Sequence, residues 1–307
     1  MTSGTGQQSP RPGATSGDVN HRDAPTIVIA AAMFSLYVIW GSTYLAIQIA
    51  VDGFPPLYMA AIRQLAAGAI LYAVMRLRGA PAPTRAQWRG GLIVGTLLIA
   101  GGNGGVSLAE RSVDSSFAAI VVASMPLWIA VIGLYYGSKP TRRELVGLFV
   151  GFTGVVVLNL GHPISGDPVA FVAIIASPIL WAWGSILSTR VELPRGPMAS
   201  AVQMLCGGVV LVVLGAAFGE HFTAPPSAKA IVALAYLVGF GSLIAFSAYG
   251  FLLRTVRPAV ATSYAYVNPI VAIVLGVAFA NESVSPRAFA ATGLTLGGVF
   301  LLARRRR

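Results

Sequence analysis

The chain has 307 residues, of which 56% are hydrophobic and only 10% are charged. A soluble domain carries about 25% charged residues, so the composition excludes an ordinary water-soluble globule and points to a bilayer as the solvent. The net charge of +11 does not mark a nucleic-acid binder, because the basic residues sit between apolar runs and form no basic face on a polar domain.

Residues 1–25 are rich in Ser, Gly, Thr, Pro and Gln. They read as a disordered cytoplasmic tail and lack the apolar core of a cleavable signal. A bilayer-crossing helix needs about 20 apolar residues. Windows of that kind follow at 26–51, 53–75, 90–109, 115–138, 145–161, 168–189, 196–219, 230–253, 258–281 and 288–303. Two of them, 145–161 and 288–303, are short and borrow flanking residues. The connections, such as RLRGAPAPTR (76–85) and GSKPTRRE (137–144), are too brief for a soluble domain. The windows are apolar all round, where a soluble helical protein needs polar outer faces. The expectation is an all-α membrane protein of ten transmembrane helices, in the cell (inner or plasma) membrane, ending in a basic tail at 304–307.

Lys and Arg concentrate on the cytoplasmic side of membrane proteins. With the N-terminus inside, the inner loops hold Arg76, Arg78, Arg85, Arg89, Lys139, Arg142, Arg143, Arg190, Arg195, Arg254 and Arg257, while the outer loops hold only Arg111, Lys229 and Arg287. Both termini are therefore expected in the cytoplasm. The lone Cys206 allows no intrachain disulfide and reads as a small buried hydrophobe.

Sliding the sequence by 143 residues superposes it on itself without gaps. Trp40-Gly41-Ser42 falls on Trp183-Gly184-Ser185, Gly53 on Gly196, Pro83 on Pro226, Pro126 on Pro269 and Gly154 on Gly297. One offset through five helices implies duplication, with repeats at 26–161 and 168–303. Five is odd, so the second copy enters the membrane from the other side. The charges follow: inner Lys139, Arg142 and Arg143 become outer Glu282, Ser285 and Pro286. Inverted repeats suit alternating access to a central site.

The segments WGSTYLAIQIA (40–50), FPPLYMAAIRQLAAGAIL (54–71), KPTRRELVGLFVGFTGVVVL (139–158) and YAYVNPIVAIVLGVAFANESVSPRAFAATGLTLGGVFLL (264–302) resemble the EamA-type transporters of the drug/metabolite transporter superfamily. The resemblance covers about residues 26–303 and rests on the order of the motifs and the duplication. It implies secondary transport, usually efflux of amino acids, small metabolites or drugs, through a cavity between the halves. The family often has Gly-Glu after the fourth helix of a repeat; here Glu282 keeps the acid and Lys139 does not. That acid reads as a cap for the next helix.

Arg63 is the only charge deep in an apolar window. A buried guanidinium faces a cavity or a partner and binds carboxylates or phosphates bidentately; the alternative is an Arg held by helix carbonyls. All ten acids fall in tails, loops or helix ends, Glu110 and Asp114 at the expected outer mouth among them. A proton-coupled exporter of cations needs a carboxylate within the membrane, so neutral, zwitterionic or anionic cargo fits better. Tyr37, Gly41, Tyr44 and Gln48 share one face of the first helix, and Ser177, Trp181, Gly184, Ser185 and Ser188 one face of the sixth. With Trp40, Trp183, Asn103, Ser107, Gln203, Tyr264 and Asn268, these polar and aromatic positions are candidates for substrate contact, or for interhelical packing. Pro126 and Pro269 read as kinks that serve as hinges. Gly147, Gly151, Gly154, Gly293 and Gly297 read as close-packing positions.

No nucleotide-binding Gly-Lys loop, metal-ligand cluster or catalytic constellation stands in the sequence, so neither a cofactor nor an enzymatic activity is expected. The expected partners are a small-molecule substrate and the lipid bilayer, with the protein a monomer or homodimer. Importer or exchanger, multidrug exporter and lipid-carrier flippase are the competing readings.

Overall fold

The computed structural model describes residues 24–109, 121–159, 167–271 and 286–303. The N-terminal tail, Glu110, Asp114, Glu282 and the basic C-terminal tail lie outside the described residues. The described chain is helical, without a strand. Six helices are long and apolar enough to cross a membrane: α1 (Thr26–Val51), α2 (Pro56–Leu77), α3 (Arg85–Ala109), α6 (Pro168–Leu187), α7 (Pro197–Ala217) and α8 (Ala228–Thr255). Four further helical segments lie among the described residues: α4 (Val121–Tyr135), α5 (Arg142–Asn159), α9 (258–271) and α10 (Pro286–Ala303).

Local chemistry sets these boundaries. Pro56, Pro168, Pro197 and Pro258 open their helices, where the missing N–H has no intrahelical partner to lose. Thr84 and Gln87 form a reciprocal capping box at α3, and Asp167 and Ser227 accept from the first-turn amides of α6 and α8. The short windows begin earlier than their apolar runs, at Arg142 and Pro286.

The most extensive pairings are α5 with α10 and α2 with α7. Each joins an element to its own repeat copy. The other large contacts swap partners between repeats: α3 lies on α6, α1 on α8, and α4 on α6, while Trp40 of α1 meets Tyr264 of α9 at a ring separation of 4.5 Å. A two-fold relation between the halves requires this pattern. Small residues permit the approaches. A Cβ on Gly207 would lie 2.6 Å from the Gly95 carbonyl oxygen, and one on Gly298 would lie 2.7 Å from that of Gly147. Gly147 and Gly154 face α10 and Gly151 faces the Tyr266 ring of α9, whereas Gly293 and Gly297 face open space. The α10 side of that contact is Gly298, one residue from the predicted position, because the buried stripe of α10 runs through Ala291, Thr295, Gly298 and Leu302. Large apolar side chains such as Phe34, Leu45, Phe149, Val172 and Phe300 point outward, as a lipid-facing surface demands.

Three helices widen into π turns, at Leu36–Trp40 of α1, Thr96–Asn103 of α3 and Leu237–Ile244 of α8. Pro178 lies inside α6. Pro126 does not lie inside a continuous helix: the chain turns at Ser124, and Pro126 falls in the first turn of Met125–Tyr135. A proline cannot donate to the preceding turn, so the break falls just before it. Pro269 stays within helical residues of α9.

Candidate functional site

Near the middle of the bundle, α1, α2, α3, α4, α6 and α9 surround a cavity of about 70 Å³. Its lining is mostly apolar and aromatic, with polar groups at Thr43, Tyr44, Arg63, Asn103, Ser177 and Asn268. Arg63 is the only ionised side chain in the described lining.

Two neighbouring helices aim that guanidinium. Arg63 is 3% exposed; its Nε–H donates to Ser242 Oγ at 2.8 Å and its Nη1–H to Asn103 Oδ1 at 3.4 Å. Ser242 belongs to the π turn of α8 and Asn103 closes that of α3. The adjoining Gly241 gives the guanidinium room, since a Cβ there would lie 2.8 Å from Nη2. The Gly241 carbonyl also accepts from the Trp40 indole N–H at 3.0 Å.

The aromatic wall is one connected cluster. Trp40 meets Trp181 edge-on at 5.6 Å and Tyr249 at 5.3 Å, and Tyr249 meets Tyr264 at 5.7 Å. The Trp181 indole N–H donates to Tyr249 Oη at 3.0 Å. Ser177 donates to the Gly102 carbonyl at 2.7 Å, which ties α6 to the π turn of α3. Asn268 is 2% exposed, and its Oδ1 has no hydrogen-bond partner among the described residues. Buried amide oxygens are normally satisfied, so this acceptor, on a residue that lines the cavity, stands out.

Of the predicted positions, the cavity brings together Trp40, Tyr44, Arg63, Asn103, Tyr264 and Asn268. It does not include three others. Ser107 is fully buried away from it, with an Oγ lacking a partner among the described residues. Gln203 is buried in α7 against Gly95 of α3. Trp183 is 43% exposed, and its indole N–H donates to Tyr136 Oη at 3.1 Å. The ungapped repeat offset placed Trp183 beside Trp40, but α1 carries a π turn where α6 carries Pro178. The facing of the two helices therefore differs, and Trp181 takes the inward place. Sequence reading also passed over Thr43, Pro178, Ser242 and Tyr249. The small or apolar neighbourhood of each gives no local signal; Ser242 is marked only by its partner 179 positions away.

The fold and the sequence both have relatives. The EamA-like transporter family matches residues 27–160 and again 168–304. The chain is 44% identical over 272 residues to the inner membrane transporter YedA of Escherichia coli K12, covering 88% of this chain and 89% of that one. It is 25% identical over 266 residues to the protein PecM of Dickeya dadantii, covering 82% and 85%. A crystal structure superposes with a TM-score of 0.75 over 91% of this chain and 97% of that one, at 19% identity, a likeness of fold alone. With two matched repeats and a bundle of apolar helices around a central cavity, the chain belongs to the EamA-like transporter family and is a multi-pass membrane transporter of the inner, or plasma, membrane.

Proposed function

We propose that the protein is a secondary transporter that exports small anionic or zwitterionic metabolites, amino acids among them, by alternating access through the central cavity. One observation carries the cargo class: the only ionised side chain in the described lining is a buried arginine. A guanidinium in a low-dielectric site attracts a carboxylate or phosphate and repels a cation. Asn103 and Ser242 hold the guanidinium's plane in place, and Asn268 Oδ1 offers an acceptor to an amine or hydroxyl on the same cargo. The aromatic wall would cover the cargo's apolar part. Export is the direction most common in the family; uptake or exchange by the same cavity is the second reading.

The test compares the medium of cells overexpressing and lacking the protein across small metabolites, then follows the enriched compounds in vesicles of known orientation. Arg63→Ala is expected to lower transport at least tenfold with the same amount of protein in the membrane, and Arg63→Lys to restore part of it as a point charge without the bidentate fork. Normal transport of acidic or zwitterionic cargo by Arg63→Ala would overturn the assignment.

A further inference from the structure

The cavity lies to one side of its aromatic wall. Along α1 its lining runs from Trp40 to Ile47, and along α3 from Gly102 to Val106, in both cases toward the C-terminal ends of those helices. Toward the N-terminal ends, where Arg76, Arg78, Arg85 and Arg89 cluster, side chains tie the halves together. Tyr249 is fully buried at the centre of this seal. Its ring packs on Trp40, Trp181 and Tyr264 from three other helices, and its hydroxyl meets the Trp181 indole at 3.0 Å and Ser185 Oγ at 2.6 Å. Beyond it, Tyr37 Oη lies 3.1 Å from Ser263 Oγ, and Tyr266 donates to the Leu148 carbonyl at 3.0 Å. Last comes a two-pronged ion pair of Arg257 with Glu144, at 2.6 and 2.7 Å.

The other repeat keeps part of this set, since Ser185 falls on Ser42 and the Arg257–Glu144 pair on Asp114 and Arg287 with the signs exchanged, but it lacks the tyrosines. The offset of 143 carries Tyr249 onto Val106, Tyr264 onto Val121, Tyr266 onto Ala123 and Ser263 onto Ile120. The two tryptophans are shared, one from the first helix of each half. The tyrosines are not. In an inverted repeat, closing the opposite face uses the equivalent positions, and here the three tyrosine positions hold Val106, Val121 and Ala123, whose side chains have no hydroxyl to bond across the halves.

We propose that Tyr249, which is absent from the cavity lining, is a positioning residue for closure of the basic-loop face, and that its tyrosine layer makes this closure the stronger of the two. The resting protein then holds its cavity shut toward the cytoplasm and turned toward the outside. This rests on the two-faced central cavity of the transport reading, but it involves no cargo.

The experiment measures sidedness. In a cysteine-free background (Cys206→Ser), Val122→Cys places a reporter in the cavity lining, and the membrane-impermeant 2-sulfonatoethyl methanethiosulfonate is added to right-side-out or inverted vesicles. Ala82→Cys and Ala224→Cys, in exposed connections on opposite sides of α2–α3 and α7–α8, report separately which face is which. The reporter is expected to react at least tenfold faster from the outside. Tyr249→Phe keeps the ring and removes both hydroxyl bonds; it should raise the inside rate severalfold, and Tyr249→Ala more. Val106→Tyr, which builds a tyrosine into the other repeat, should also raise the inside rate; a mere obstruction of the cavity would not. Equal or faster inside labelling without these substitutions overturns the proposal. So does an inside rate unmoved by both Tyr249→Phe and Val106→Tyr. Sidedness as expected together with normal transport by Arg63→Ala would sink only the cargo assignment.

Discussion

Ser242 is a small residue in an apolar helix, yet it fixes the direction of the one charge in the described cavity lining. Its Oγ accepts from Arg63 Nε at 2.8 Å. A hydrogen bond to a charged group contributes about 1.5–3 kcal/mol. Ser242→Ala is therefore expected to raise the apparent KM roughly tenfold or more, with maximal rate and membrane abundance little changed; concentration-dependent uptake into proteoliposomes measures it. Gly241→Ala acts on the same group by contact, since its methyl would lie 2.8 Å from Nη2, and it should weaken acidic cargo at least as much. Arg63 was legible in the sequence because a lone charge in an apolar window is conspicuous. Asn103, Tyr44, Tyr264 and Asn268 were legible for the same reason in weaker form: hydrocarbon makes any polar side chain stand out. Ser242 and Tyr249 were not, because their roles come from partners on distant helices.

The helices themselves follow from apolar length and from Pro, Ser, Thr and Asp at their starts, which a sequence displays openly. The π turns do not show, since a widened turn depends on which carbonyl the backbone reaches, and no residue type announces it. Their effect is concrete: they deliver Trp40 and Asn103 to the cavity and Ser242 to the Arg63 guanidinium, and they upset the repeat alignment that pointed to Trp183. Between elements, close approach of backbones replaces the hydrophobic effect as the main source of cohesion in lipid. The α3–α7 crossing at Gly95 and Gly207 is the tightest case to test. Gly207→Leu would drive a side chain into Ile99 and the Gly95 carbonyl, at a cost of about 1–3 kcal/mol for overpacking. A clear fall in the unfolding temperature in detergent is expected. Gly239→Ala, which meets nothing within 4 Å, should leave that temperature unchanged.

At the scale of the whole chain, the duplication was readable because a single offset spans both halves, and the exchange of partners among α1, α3, α6 and α8 is what two related halves produce on docking. The orientation rests on charge alone. A reporter fused after residue 138 is expected in the cytosol and one fused after residue 163 outside the cell; both in one compartment would refute opposed halves. The depth of the cavity, by contrast, was out of reach of sequence, because it depends on which aromatic rings meet across the interface. The bond from Arg63 to Ser242 runs from the first half to the second. On the cargo reading proposed above, an acidic guest gripped by Arg63 is held through Ser242 by both halves at once. A sliding of one half against the other would then turn the guanidinium itself, so the grip on such a guest and the motion of the halves are coupled through a single hydrogen bond.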